Sequence, residues 1–370
     1  MLTRVRIENY RGFRTYDLEK MTAVNLLVGR NNSGKTALLE SVHILASGGD
    51  PMVLVNAASR RGEVVSGGRE EPLFLDISHF FHGHEVGAGS YFSLATENGF
   101  AAITAKIVPL EEVEAQRTLF DDARGVRPAF ALKIEGGVPD ARGERYFVLS
   151  EDGAWLVDQR RALRRYFSDE RREGPPIVFI SPDSVEPDSL GMMWNQVLRD
   201  KQEAGVRTAM QILESGLEDI VFQTGDAVYR PFSRSFGGRS GVLVSFSGSK
   251  RRVPLGSMGD GMRRLLALSI SLIHARDGFL IIDEIDTGLH YSIMAKMWEL
   301  VVRTARDSNI QVFATTHSAD CVKGLGLLCK RSPDLQTEVS VHKVERDLKT
   351  DVTFTGAEVL NAVEQDIEIR

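Results

Sequence analysis

The chain has 370 residues, a formal charge of −6, 42% apolar and 26% charged residues, and two cysteines. That length accommodates two domains, or one large domain carrying an inserted lobe, and the negative balance means that any contact with nucleic acid must come from a local basic patch. No apolar run approaches the roughly 18 residues of a membrane span, no secretion leader opens the chain, and Cys321 and Cys329 read as idle thiols of a reducing, cytoplasmic protein.

VRIENYRGF, at residues 5–13, alternates as a strand running into a turn. Val24 to Val28 is an apolar strand-like run, and Thr36 to Leu45 has helical character. Between them, residues 29–36 read GRNNSGKT, a full G-x-x-x-x-G-K-[ST] phosphate-binding loop in the strand–turn–helix context that the motif requires. Such a turn aims backbone N–H groups and a helix N-terminus at one point. Gly29, Asn31, Asn32, Ser33, Gly34 and Ala37 would cradle a polyphosphate. Lys35 would reach the β- and γ-phosphates, and the Thr36 hydroxyl would ligate Mg2+.

Residues 47–72 lack steady periodicity and are expected to form an exposed excursion. From about Leu73 to Val157, short β-like runs separated by Gly and Asp predict an antiparallel region attached to the nucleotide-binding core. Residues 158–173 are highly charged, PPIVFIS supplies another strand, residues 189–221 are expected to be mostly helical, and a hairpin follows at about 227–253. The last third alternates helix and strand: Arg263 to His274, FLIID at 279–283, Tyr291 to Ala305, then QVFATT at 311–316. Strands and helices alternating around a phosphate loop predict an α/β sheet with parallel strands.

Chemistry is concentrated in that last third. FLIIDEID buries four apolar residues and then presents Asp283 at the strand end, where it can hold Mg2+; Glu284 follows, placed to deprotonate an attacking water. Upstream, Ser257, Gly259 and Gly261 form a glycine-rich turn entering a helix, which suits a helix cap and an anion cradle alike. His317 follows the next strand and is placed for a γ-phosphate contact.

The order of phosphate loop, Gly-rich signature, acid pair, Asp286-Thr287-Gly288 and histidine resembles the ABC-type ATPase heads shared by SMC, RecF and OLD proteins. IENYRGF resembles the start of that branch, and PLGSMGDGMRRLL, LIIDEIDTGLHY and FATTHS are similar to stand-alone OLD-like ATPases. The resemblance implies an ABC-type head of the P-loop NTPase class, with a mixed sheet, an attached antiparallel β region and an inserted helical lobe. Its segments would be 1–157 and 254–370 for the head, with 158–253 as the charged and helical lobe. Lys35, Thr36, Asp283, Glu284 and His317 would serve ATP and Mg2+ in their own subunit, and Arg11 would approach the phosphates. Ser257, Gly259 and Gly261 would cap the γ-phosphate of a second subunit, and Asp286 would line the joint. The signature departs from the LSGGQ form, reading GSMGDG, and the glutamine of the Q-loop is not identified; Gln159 and Ser181 to Asp183 are its candidate places.

These parts imply a slow ATPase that forms a homodimer, or a higher oligomer, around Mg-ATP. Little more than fifty residues follow His317, too few for the nuclease domain of longer OLD proteins. The expected partner is therefore a separately encoded effector in a defence or toxin–antitoxin setting, with no membrane. The alternative is a DNA repair or recombination ATPase of RecF or SMC kind, contacting DNA through Arg160, Arg161, Arg164, Arg165, Arg171 and Arg172, although the neighbouring acids also suit a solvated helix face. A purely structural nucleotide is disfavoured by Glu284. His79, His82 and His84 lie close together at a conceivable metal spacing, but the lack of a nearby cysteine or second ligand cluster disfavours a metal site; Phe80 and Phe81 read as core, and Trp155, Trp194 and Trp298 offer no stacking platform that the sequence identifies.

Overall fold

The computed structural model describes residues 1–66, 73–97, 101–110, 128–137, 143–150, 153–157, 174–182, 187–223, 241–249 and 251–369. The first strands are β1 (Val5–Tyr10), β2 (Phe13–Leu18) and β3 (Val24–Val28), followed by helices α1 (Lys35–Ala46) and α2 (Pro51–Arg61). Next come β4 (Val64–Ser66), β5 (Leu73–Asp76), β6 (Tyr91–Thr96), β7 (Ala102–Pro109), β8 (Pro128–Gly137), β9 (Gly143–Ser150), β10 (Ala154–Val157) and β11 (Ile177–Ile180). Two helices, α3 (Pro187–Arg199) and α4 (Glu203–Leu213), lead to β12 (Leu217–Gln223), β13 (Gly241–Phe246) and β14 (Val253–Pro254). The remainder is α5 (Asp260–His274), β15 (Phe279–Ile282), α6 (Met294–Asp307), β16 (Gln311–Thr315), α7 (Ala319–Arg331), β17 (Val339–Lys343), β18 (Val352–Thr355) and α8 (Gly356–Glu364).

These form an α/β fold with three sheets. A six-stranded sheet runs β11-β15-β16-β3-β17-β18, parallel except for the last pair. A nine-stranded antiparallel sheet runs β2-β1-β6-β7-β8-β9-β10-β5-β4, and β12-β13-β14 make a small third sheet. Strands β3, β15 and β16 have no exposed residue, as expected of parallel strands covered on both faces. Their alternate residues supply two cores. Leu26, Leu280, Ile282, Val312 and Ala314 pack with α4 to α8, whereas Leu27, Phe279, Ile281 and Phe313 pack with α1, α2 and the antiparallel sheet.

Residues 47–72 differ from expectation. Most of this segment is ordered as α2 and β4. Asp50 caps α2 by accepting from Met52 N, Pro51 occupies its first turn, and Gly62 ends it at φ 70°. Val53, Leu54, Val55, Ala57 and Ala58 are buried, so this helix is held by tertiary packing on α1. The helical expectation for 189–221 also runs too far: α4 stops at Leu213, and β12 turns back to pair with β13. The arginines of 158–173, together with Gln159 and Asp183, lie outside the described residues.

The expectation that Phe80 and Phe81 belong to the core holds, since both are buried; Trp155, Trp194 and Trp298 are buried too. Both cysteines are free and buried; burial pushes the Cys329 thiol up to about 11 and Cys321 higher still, so neither is poised as a thiolate. Among the described residues no helix is long and apolar enough to cross a membrane.

One buried polar chain ties β3 to the β17–β18 hairpin. Ser340 Oγ donates to Asn25 Oδ1 at 3.0 Å, His342 spans Ser340 Oγ (2.8 Å) and Asp351 Oδ2 (2.7 Å), and Thr353 Oγ1 donates to the same carboxylate at 2.7 Å. Burial by itself would raise the Asp351 pKa, but hydrogen bonds and charge from His342, with Thr353 and Glu19 N, hold it below the usual carboxylate range. A depressed folded pKa stabilises above the unfolded value of about 3.9 and stops doing so as pH falls through the folded one. Asp351→Asn is therefore expected to cost about 1–3 kcal/mol at pH 7. The wild-type advantage should shrink in urea titrations below about pH 4; an unchanged gap at pH 3 would contradict this assignment.

Candidate active site

Open α/β sheets bind ligands at the carboxyl ends of their parallel strands. Here β3 ends in the phosphate loop, β15 in Asp283 and Glu284, and β16 in Thr315, Thr316 and His317. Three of these ends are neighbours in the sheet order β15-β16-β3, which brings motifs some 250 residues apart to one edge.

The loop conformation needs its glycines. Gly29 and Gly34 have φ of 147° and 102°; a Cβ on Gly29 would come 2.6 Å from Val344 O, and one on Gly34 would enter the Phe13 ring. Phe13 of the opening turn thus packs directly against the loop. Helix α1 begins at Lys35 with no side-chain cap and no acid in its first turn, leaving its N–H groups and dipole open to an anion. Ser33 Oγ is buried and has no hydrogen-bond partner among the described residues. Lys35 Nζ donates to Gly29 O and Arg30 O at 2.8 Å. Burial lowers its pKa, opposed by the charges of Asp283 and Glu284. Asn31 and Asn32 are exposed at the loop tip and Ala37 is buried behind it.

Thr36 Oγ1 lies 3.3 Å from Asp283 Oδ2, and Thr315 Oγ1 donates to Asp283 Oδ1 at 2.6 Å. A hydroxyl and a carboxylate facing each other beside an uncapped helix start fit an oxygen-ligated Mg2+. Glu284 has φ 50°, costly for a residue with a side chain. Its surroundings fix that conformation: Glu284 N donates to Thr315 Oγ1 at 2.8 Å, and Arg264 donates to the carbonyls of Asp283 (3.3 Å) and Glu284 (3.1 Å). The Glu284 carboxylate accepts from Thr287 Oγ1 at 3.0 Å, and its other oxygen is 3.7 Å from His317 Nδ1. Lys35, Thr36, Asp283, Glu284 and His317 are thereby gathered in one place.

The remaining residues are placed differently. Ser257 and Gly259 are exposed on a separate turn before α5, whose start also lacks a side-chain cap, and Gly261 backs onto Gly288 O. Asp286 accepts from Thr316 Oγ1 at 2.6 Å, which ties the turn after the acids to the turn carrying His317. Arg11 corrects its expectation. Its guanidinium is drawn into the protein, 2.6 Å from Glu40 and 2.8 Å from Glu63, against the Phe80 ring, so its charge is spent on carboxylates rather than presented to phosphates.

Arg264 and the Thr315–Thr316 pair escaped the sequence reading. Arg264 is buried, bonds Ser181 O at 3.1 Å as well as the two acid carbonyls, and has its pKa lowered by burial. The available signal was an arginine inside the apolar repeat of α5; for the threonines it was two hydroxyls ending a wholly buried strand.

The family described as "AAA ATPase domain" matches residues 1–76, and "AAA domain, putative AbiEii toxin, Type IV TA system" matches residues 246–320. An "ATP/GTP phosphatase" of Helicobacter pylori is 21% identical over 333 residues, covering 87% of each chain. A "DNA replication and repair protein RecF" of Acinetobacter baumannii is 22% identical, covering 93% of this chain and 97% of that one. A solved SMC head bound to the C-winged helix domain of ScpA aligns with a TM-score of 0.49 at 12% identity, over 96% of this chain and 98% of that one. Both matched segments converge on a single phosphate loop and acid pair, which supports an ABC-type ATPase head of the RecF/SMC/OLD branch.

Proposed function

We propose that the chain is an ATP-hydrolysing switch whose heads dimerise around Mg-ATP and control a separately encoded effector. One observation carries the dimer: Lys35, Thr36, Asp283, Glu284 and His317 converge, whereas Ser257 and Gly259 stand exposed on another turn, suited to the γ-phosphate of a second subunit. The α1 N-terminus and Lys35 bind and orient the triphosphate. Thr36 and Asp283 would hold Mg2+, whose charge would offset that of the phosphate oxygens. Glu284 takes the proton of the attacking water, steadied by Thr287 and His317. Asp286, bonded to Thr316, couples the joint to the His317 turn. The match of residues 246–320 to the AbiEii-type family supports an effector in a toxin–antitoxin or defence setting.

Light scattering tests the dimer. The Glu284→Gln chain should double in mass only with Mg-ATP, and Ser257→Arg should abolish the doubling. A mass unchanged by nucleotide in both would remove the shared site. The RecF relative favours a second reading, DNA binding; it requires affinity that falls steeply with salt, with a shallower slope once Arg160, Arg161, Arg164 and Arg165 are replaced.

A further inference from the structure

A second group of titratable side chains lies on the turn after β5. The 3-10 turn Ile77–Phe80 is capped by Asp76, whose carboxylate accepts from Ser78 N at 2.9 Å. The chain then reverses through Gly83 and His84, with φ of 84° and 59°. A left-handed conformation is unfavourable for a residue with a side chain, and here it carries His84 back to His79. Their Nδ1 atoms are 3.3 Å apart and their ring centroids 5.2 Å, with planes inclined at 71°. Behind His79, its Nε2 lies 3.6 Å from Asp76 Oδ2.

Two distances show what this pair is shaped for. Nitrogens held about 2.0–2.1 Å from one tetrahedral ion stand about 3.3–3.4 Å apart, with ring centroids about 5.2 Å apart. A straight N–H···N bond of that length would separate the centroids by about 5.6 Å. The observed 3.3 and 5.2 Å fit two imidazoles on one ion, and without the ion the same two nitrogens share a bent hydrogen bond. A carboxylate on this side of a metal-bound imidazole is the usual partner of its second N–H; at 3.6 Å Asp76 is near His79 without a hydrogen bond to it.

We propose that His79 and His84 bind a divalent transition-metal ion of the zinc class through Nδ1. Asp76 orients His79, and water fills the other positions. Among the described residues no group of three His, Cys, Asp or Glu side chains is arranged around a metal, so this is an open two-imidazole clasp rather than a closed structural centre. Imidazole ligands suit such ions, whereas the hydroxyl and carboxylate of Thr36 and Asp283 suit Mg2+. The clasp adjoins the opening turn: His82 Nδ1 is 3.0 Å from Arg11 O, His82 N donates to Asn9 O at 2.9 Å, and Arg11 N donates to Phe80 O at 2.9 Å. A bound ion would hold this turn against the segment whose Phe13 backs the phosphate loop.

The test is calorimetric titration of Zn2+ into the chelator-treated full chain without nucleotide. One ion per chain is expected. His79→Ala and His84→Asn should each weaken binding at least about tenfold, asparagine being tolerated in the left-handed backbone. Asp76→Asn, which retains an oxygen to cap the turn, should weaken it about tenfold. Co2+ in place of Zn2+ should give visible d–d bands that the double variant lacks, and circular dichroism would check that each variant folds. No stoichiometric binding overturns the proposal. So does binding that survives the double His79→Ala, His84→Asn variant, including binding that survives it but is lost in Asp283→Asn, which would put the ion at the nucleotide site.

Discussion

Glu284→Gln is expected to slow ATP hydrolysis by about two to four orders of magnitude, the range for loss of a positioned general base, while nucleotide affinity stays close to wild type. The substitution keeps the shape of the side chain and an oxygen to accept from Thr287 Oγ1, but removes the basic oxygen. The backbone that aims this residue is untouched: Thr315 Oγ1 still accepts from its N–H and Arg264 still donates to its carbonyl. Phosphate release alongside binding of a fluorescent nucleotide separates the two effects. A variant that turns over at the wild-type rate would remove Glu284 from the chemistry. Equal losses in binding and turnover would mean that the substitution had disturbed the whole edge.

Glu40→Ala should destabilise the fold by about 3–5 kcal/mol, the range for removing one partner of a buried ion pair. Glu40 sits one turn beyond Thr36 on α1 with its side chain 1% exposed, and three elements converge on it. Arg11 Nε is 2.6 Å away, in contact as an ion pair although its N–H is not aligned for a hydrogen bond. Arg61 of α2 donates at 2.8 Å, and Tyr10 Oη at 3.3 Å. Removing the carboxylate leaves the Arg11 guanidinium in the interior with Glu63 as its one remaining counter-charge among the described residues. Urea unfolding would measure the loss, and Glu63→Ala, whose partner keeps Glu40, should cost less. Arg11→Ala separates the structural role from nucleotide contact: stability should fall while nucleotide affinity in the folded protein holds. A large loss of affinity at unchanged stability would return Arg11 to the phosphates.

Much of the proposed nucleotide site was legible because its physics is local. A glycine-rich turn between a buried strand and a helix, and two acids after four apolar residues, each carry their function within a few residues of chain. Arg11 was misjudged because its partners, Glu40 and Glu63, come from α1 and the segment after α2, and no spacing along the chain announces them. Helix α2 was missed although Asp50, Pro51 and Gly62 spell its cap, first turn and end; its apolar face was the weaker signal, since it is completed only against α1. The closeness of His79 and His84 was legible in the sequence, but their pairing was not, since a left-handed residue in the turn brings the rings together.

The sequence by itself determined the chemistry of the phosphate loop, the acid pair and the parallel strands behind them, since periodicity and motif are properties of neighbouring residues. The tertiary structure decided which charges face the nucleotide and which are spent inside. That outcome depends on strand order: placing β3 beside β16 and β15 brings Thr36 to Asp283 and Glu284 to His317, while packing α1 on α2 and the opening turn closes Glu40 around Arg11. Charge interactions act through space and burial, and both are set only when distant segments meet.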